Sequence, residues 1–331
     1  MFSLQQYQNK NNSYKRTLVF HFGAFAGFYS EYINMLKAIA YCLVHKIRFV
    51  IYSKDSVLCP NNGWTDFFEP FCDEVTDEFH HTLNKRTPRK DTQTAFFSVF
   101  LKRKIKVLLG KQGVAPVSWS FYDTILRNRL YKIIYRFSYF TYDLWNDFVH
   151  ITPSSKITVG DLFQGSYYEL MYNLDKIIWH YNLATENAIR EIVQSLSLPK
   201  VYLAMHIRKG DKEREATVFG WESYVYEASK QDCNNWFIFT DDYSVVENIR
   251  NYEKGICIYT LCSPLERGYV HESLISADAT EKNNRILRMF AAVDICKVSV
   301  CFIGTKTSNP YHVIELAHHG ENCISLDSTW L

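Results

Sequence analysis

The sequence predicts an α/β protein built from two doubly wound halves. A strand–helix–strand opening over residues 17–52 gives the first half, and alternating strands and helices after residue 200 give the second. Two polar segments sit directly after strands, where open α/β sheets bind their ligands. The 331 residues suit roughly two domains at about 150 residues each.

Thr17–Phe22 (TLVFHF) reads as a buried first strand, followed by a turn holding Gly23 and Gly27. From Phe28 to His45, Tyr32, Met35, Leu36, Ile39, Ala40 and Leu43 recur at three- and four-residue spacing, which predicts a helix. Arg48–Tyr52 is the second strand, and a helical crossover between two strands implies a parallel sheet. Loops follow at Cys59–Gly63 and Lys85–Lys90, and Ala95 to His150 is aromatic and helical in pattern. Its basic clusters, Lys102–Lys106 and Lys111, read either as solvated helix faces or as a surface for an anion or sugar acceptor.

Asp175–Leu198 reads as one long amphipathic helix closed by Pro199, which divides the chain into 1–174, a linking helix 175–198, and 199–331. Beyond it come strands at Val201–Ile207, Trp236–Thr240, Ile256–Leu261 and Val298–Ile303, with helices at Trp221–Lys230 and Lys282–Cys296. Asp241-Asp242 stand where an N-cap belongs, opening a helix to about Asn251. Pro310 suits the first position of the last helix, capped by Ser308 or Asn309, with Gly320 past its end.

Composition excludes several functions. Hydrophobic residues make up 47% and charged residues 22%, so the chain is not disordered. Lys plus Arg is 37 against 35 Asp plus Glu, and a net charge of +2 argues against a nucleic-acid binder. Aromatic residues reach 16%, enough to fill a large core, and any surplus on the surface suits stacking on a base or sugar. The nine cysteines are scattered and form no C-x-x-C, so they read as reduced, mostly buried thiols. The opening Met1–Arg16 is polar, without the pattern of a signal or transit peptide. Apolar stretches such as Ala38–Val44 fall far short of the roughly 18 residues of a membrane span, so a cytoplasmic location is expected.

The strongest local signal is His206-Ile-Arg208-Lys209-Gly210-Asp211-Lys212, which leaves the carboxyl end of a strand. Arg208 supplies a planar charged fork suited to phosphate, and Gly210 lets the backbone turn closely. The same residues also suit a surface turn with a local ion pair. The second signal is Gly304-Thr-Lys-Thr307-Ser308-Asn-Pro310, a strand-to-helix turn whose amides and helix dipole favour a phosphate, or a plain capping turn. It lacks Walker A spacing, and Gly23-x-x-x-Gly27 matches the dinucleotide fingerprint poorly. Asp241-Asp242 reads as a cap before a chelating pair, and His80-His81 and His318-His319 read as structural. No zinc spacing is present, and no metal site is expected.

His206 to Lys212 resembles the H-x-R-R-x-D-K signature of the fucosyltransferase superfamily, nearest to its core α-1,6 and Nod-factor types. A Glu, then Ala and Phe, follow within a few residues in that group; here they are Glu215, Ala216 and Phe219. Thr240-Asp241-Asp242 resembles its T-D-D strand end, Asp294-Ile295 its helical Asp-Ile, and Thr305 to Asn309 its T-x-S-S turn. Gly63-Trp64 before Phe67 and Phe68 resembles a segment of its first domain. Lys209 replaces the commoner second Arg, Glu215 lies one position off the usual spacing, and Pro310 is unusual after the turn.

The resemblance implies a GT-B fold, with two Rossmann-like domains facing across a cleft and the nucleotide sugar held by the second. It implies an inverting, metal-independent transfer of fucose from GDP-fucose to a hydroxyl of a glycan or glycoprotein, without a cofactor. In that scheme Arg208, Lys212 and the amides near Thr307 and Ser308 neutralise the leaving diphosphate, with Asp241 lining the donor site. Asp294 and His206 read the guanine, and Glu215 is the base, with Asp211 in reserve. Another GDP-sugar, or a silent sugar- or peptide-binding protein on this fold, are the alternatives.

Overall fold

A computed structural model describes residues 1–23, 27–56, 61–84, 119–150, 156–209, 219–268 and 278–327, with the backbone alone at 119–126 and 279. In the first half, β1 (Arg16–His21) lies between β2 (Ile47–Tyr52) and the two-residue β3 (Tyr139–Phe140), all parallel. The helix that closes the β1–β2 crossover, α2 (Phe28–Val44), begins at Phe28 as the periodicity requires. The polar opening, read only as untargeted, forms α1 (Leu4–Asn12) behind a Ser3–Gln6 capping box. Its buried Asn11 bonds both backbone groups of Phe49, accepting N–H at 2.7 Å and donating to C=O at 2.9 Å.

Continuing along the chain, α3 (Phe79–Leu83), α4 (Trp119–Ile134) and α5 (Thr141–Val149) precede an antiparallel hairpin of β4 (Lys156–Val159) and β5 (Phe163–Ser166). The basic clusters at Lys102–Lys106 and Lys111 lie outside the described residues.

The expected long helix from Asp175 to Leu198 is in fact two, α6 (Tyr167–Ile178) and α7 (Leu183–Ser195). Trp179 leaves the helical region at ψ 71°, and the Asn182 side chain caps α7 by accepting the Thr185 N–H. Between them, 180–182 pairs with the chain at Phe67–Glu69: His180 C=O accepts the Glu69 N–H at 2.8 Å, and the Asn182 N–H donates to Phe67 at 3.0 Å. Long-range backbone bonds override an amphipathic pattern that runs unbroken through the corner.

The second half is a five-stranded parallel sheet in the order β10 (Cys323–Ser325), β9 (Cys301–Gly304), β6 (Leu203–Ile207), β7 (Asn235–Thr240), β8 (Cys257–Tyr259). It is interleaved with α8 (Trp221–Ser229), α9 (Tyr243–Tyr252), α10 (Ala279–Lys297) and α11 (Asn309–Ala317). Ser308 is the N-cap of α11, so Pro310 is its second helical residue rather than its first.

One buried cluster includes Phe20 and Phe49 of the first sheet together with Phe237 and Phe302 of the second. Between the sheets the aromatic residues concentrate. Phe28 lies 5.1 Å from Phe290, Trp64 stacks on Phe68 at 4.3 Å, and Trp179 meets Tyr32 edge-on at 4.9 Å. The high aromatic content is thus spent largely on the core. Gly63 starts the short 3-10 turn that delivers Trp64; its φ of +73° and a Cβ position 2.0 Å from Ser53 Oγ require glycine. α11 packs against α2 and α6 as well as α10. The eight cysteines among the described residues are unpaired, and five of them are buried. No helix of the described residues is long and apolar enough to cross a membrane.

Candidate functional site

β6 is buried at all five positions, so its next residues, Arg208 and Lys209, are the first polar groups to leave the sheet's carboxyl edge. β7 ends level with it, Ile207 opposite Thr240, which brings Asp241 beside Arg208. Asp241 Oδ1 accepts the Lys209 N–H at 2.8 Å, and Oδ2 lies 3.3 Å from Arg208 Nε. The loop after β8 fixes this corner: the Gly268 N–H donates to the Asp241 carbonyl and the Tyr243 N–H to that of Glu266. Asp242 caps α9 by accepting the Ser244 N–H at 2.9 Å. The two carboxylates therefore serve different partners, one as the expected cap and the other on Arg208.

On the other side of β6 stands β9, which runs into the turn Thr305–Ser308. Strands β7 and β8 lie to one side of β6, and β9 and β10 to the other. The β6–β9 boundary is therefore the topological switch point, the place where open α/β sheets bind ligands beyond their carboxyl ends. Met205 pairs with Ile303, so Arg208 and Lys306, each three residues on, leave the sheet at the same level. The fold thus brings together the two sequence signals, about 100 residues apart, with Ser308 Oγ 3.5 Å from His206 Nδ1.

Three expected contacts are not arranged as the sequence suggested. The Thr307 amide, with that of Lys306, is bound by the Asp327 carboxylate at 2.9 and 2.6 Å, and the Ser308 amide donates to the Thr305 carbonyl at 3.0 Å. Both amides are thus engaged within the protein, while the Ser308 hydroxyl lies beside His206. His206 is 3% exposed, stacks on Phe239 at 4.3 Å and places its Nδ1 3.5 Å from Ser308 Oγ. Burial, then the Arg208 charge, lowers its pKa to about 3, and it stays neutral.

Asp294 lies near the carboxyl end of α10, whose Ile295 carbonyl accepts the hydroxyl of Tyr202, just before β6 begins. That is the amino edge of the sheet, opposite Arg208. Asp294 there accepts the Trp179 indole N–H at 3.2 Å, and burial raises its pKa against the opposing effects of Lys297 and Tyr181. It ties α10 to the 179–182 corner and is not at the switch point. Asp211, Lys212 and Glu215 lie outside the described residues, which resume at Phe219.

Sequence reasoning missed two groups. Asp327, after β10, carried only its place behind a strand as a signal. In the first half, Asp55 joins His21 Nε2 at 2.6 Å and His81 Nδ1 at 2.9 Å, while Nδ1 of buried His21 has no partner. Burial raises the Asp55 pKa, but the two histidine contacts outweigh it and hold the carboxyl below its ordinary value. Residues 21, 55 and 81 share no spacing that would betray this. His80 is structural as expected: it is buried, bonded to Asn84 at 3.1 Å, with a pKa lowered to about 3 chiefly by burial. Among the described residues no group of three or more His, Cys, Asp or Glu could hold a metal ion.

No protein-family model matches the chain, and no curated protein matches it in sequence. Solved structures do match. Together with the parallel sheets and the switch-point site, they define an α/β fold of the GT-B class. In particular, the chain has the fold of fucosyltransferase structures. The fucosyltransferase NodZ from Bradyrhizobium superposes with a TM-score of 0.52 at 13% identity, over 96% of this chain and 98% of that one. NodZ alpha-1,6-fucosyltransferase soaked with GDP-fucose superposes with a TM-score of 0.50 at 13% identity, over 92% of each chain.

Proposed function

We propose that this protein is a GDP-fucose-dependent fucosyltransferase, inverting and metal-independent, that acts on a hydroxyl of a glycan or glycoprotein. The observation that carries the reading is the meeting of Arg208 and the Ser308 turn at the switch point of the second sheet. The likeness in fold to NodZ, one structure of which was soaked with GDP-fucose, supports the choice of donor.

In this reading residues 199–331 form the nucleotide-sugar domain and 1–174 the acceptor side, facing it across a cleft, with 175–198 as the link. Arg208, braced at Nε by Asp241, presents its guanidinium to the diphosphate, and the Ser308 hydroxyl donates from the opposite side. The acceptor oxygen attacks the anomeric carbon from the face opposite GDP. As the new C–O bond forms, the bond to the β-phosphate breaks, and GDP departs with that electron pair. Glu215 takes the acceptor's proton, with Asp211 as the reserve, and Lys212 adds positive charge at the leaving group. In this reading the charge on GDP is neutralised by Arg208, Lys212 and the Ser308 hydroxyl rather than by a metal, with Asp241 paired to Arg208 and Asp242 capping α9. Asp294 is left out of the donor site. The cysteines, read as thiols, favour the cytoplasm as the place of action.

The test is turnover of GDP-fucose and, separately, GDP-mannose on a glycan and peptide array, read by mass spectrometry. Fucosylated product from GDP-fucose supports the proposal. Product from GDP-mannose alone would assign a different donor, and GDP binding without any product would leave a binding protein on a transferase fold.

A further inference from the structure

The Asp327 carboxylate collects hydrogen bonds from the amides of Lys306 and Thr307 at 2.6 and 2.9 Å and from the Ser325 hydroxyl at 2.7 Å, with the Thr307 side chain adding to them. It is 7% exposed, and the residue before it is tied to β9, the Leu326 N–H donating to the Gly304 carbonyl at 3.0 Å. Two consecutive amides converging on one anion would ordinarily be the place to seat a ligand phosphate. Here the sheet order decides otherwise. Asp327 follows β10, which lies on the far side of β9 from β6, so these amides turn away from Arg208.

We propose that Asp327 is a positioning residue for the donor phosphates, holding the Thr305–Ser308 turn from its outer side so that Ser308 stays on the Arg208 side. The inference rests on the donor-site reading given above. A carboxylate seated between β6 and β9 would compete with a phosphate; one seated beyond β10 fixes the backbone and leaves the switch point clear. With the Lys306 and Thr307 amides drawn outward, the Ser308 amide bonds back to Thr305 and its hydroxyl comes to rest 3.5 Å from His206 Nδ1. Charge-assisted bonds to backbone amides are stronger than neutral ones, which suits a brace. Burial raises the Asp327 pKa, but the hydrogen bonds from Ser325, Thr307 and Lys306 outweigh it, so the group is anionic at neutral pH.

The experiment compares the full-length wild type with Asp327→Asn and Ser325→Ala by titration calorimetry with GDP and by GDP-fucose kinetics. Asparagine offers one acceptor oxygen to the two amides and turns its own NH2 toward the second. The GDP Kd and the donor KM should both rise about ten- to hundredfold, the range seen when outer partners of metal ligands are removed. Because Arg208 and the base are untouched, kcat should fall less than KM rises. Ser325→Ala, which removes one donor and leaves both amides bound, should shift the Kd in the same direction by less. A folded Asp327→Asn variant with a Kd within about twofold of wild type overturns the inference, whatever its melting temperature. If that variant does not fold, an unchanged Kd in Ser325→Ala overturns it instead. Wild-type protein that binds no GDP overturns the donor-site reading, and this inference with it.

Discussion

Arg208 Nε lies 3.3 Å from Oδ2 of Asp241, across the ends of two neighbouring parallel strands. The carboxylate pairs with the guanidinium from its Nε side. Lysine keeps the charge but has no planar fork to present to a diphosphate. Arg208→Lys should lower turnover by about 10²–10³, while GDP binding weakens less, since the contact strengthens as the leaving group gains charge. Arg208→Ala should weaken GDP binding and leave the melting temperature of the unliganded protein within a few degrees. Calorimetry and kinetics on both variants check this. Unchanged GDP binding and turnover in Arg208→Ala would remove Arg208 from the donor site.

Glu215→Gln should lower kcat about 10²–10⁴-fold, the usual range for a general base, with GDP affinity nearly unchanged. Stopped assays with calorimetry separate the two effects. A fully active variant would pass the role to Asp211.

Transfer should survive excess EDTA. Loss of activity with the chelator, followed by its return with Mn²⁺, would promote Asp241 from the partner of Arg208 to a metal ligand.

Stability should fall as the solution is acidified below about pH 6.5, before the carboxylates titrate. His206 and His80 both have folded-state pKa values of about 3. The unfolded chain, with ordinary histidines, therefore binds more protons between pH 6.5 and 3. A depressed histidine contributes stability that is fully present above its unfolded pKa and is lost as pH falls toward the folded value. Each such group contributes a slope of up to about 1.4 kcal/mol per pH unit in that window. Urea denaturation from pH 6.5 to 4.5 should show it, and His206→Gln should flatten it. An identical slope in that variant would contradict the neutral assignment.

Asn11→Ala should destabilise the fold by roughly 2–5 kcal/mol, because both backbone groups of Phe49 lose their side-chain partner in a buried place. A shift under about 0.5 kcal/mol in chemical denaturation would mean that water replaces the amide there.

The elements of the second half were legible because each strand and helix is bounded by its own local signal: a buried run for β6, Asp242 as the cap of α9, Ser308 before α11. Their assembly at the switch point follows from the strand order, which the alternation of elements leaves open and the structure supplies. Three features escaped for physical reasons. The corner at 179–182 contains no glycine or proline and is made by hydrogen bonds to Phe67 and Glu69, more than 100 residues away. Asp294 was read from a short sequence motif alone; one turn before the end of α10 it lies at the amino edge of the sheet, opposite Arg208, and no local signal shows that edge. The amides of the Ser308 turn looked available because nothing local shows that Asp327 reaches them.

Helix α11 starts in the turn beside Arg208 and lies along α2 and α6, and the buried cluster beneath it runs without a gap from Phe20 to Phe302. A rod with its tip at the Thr305–Ser308 turn and its flank on α2 and α6 is a lever. Whatever grips the tip also stiffens those two helices. One buried cluster holds residues of both sheets, so the two halves share apolar contacts that neither keeps alone. Heat should therefore take both together, and GDP, by fastening one end of the rod, should raise the temperature at which the entire molecule gives way.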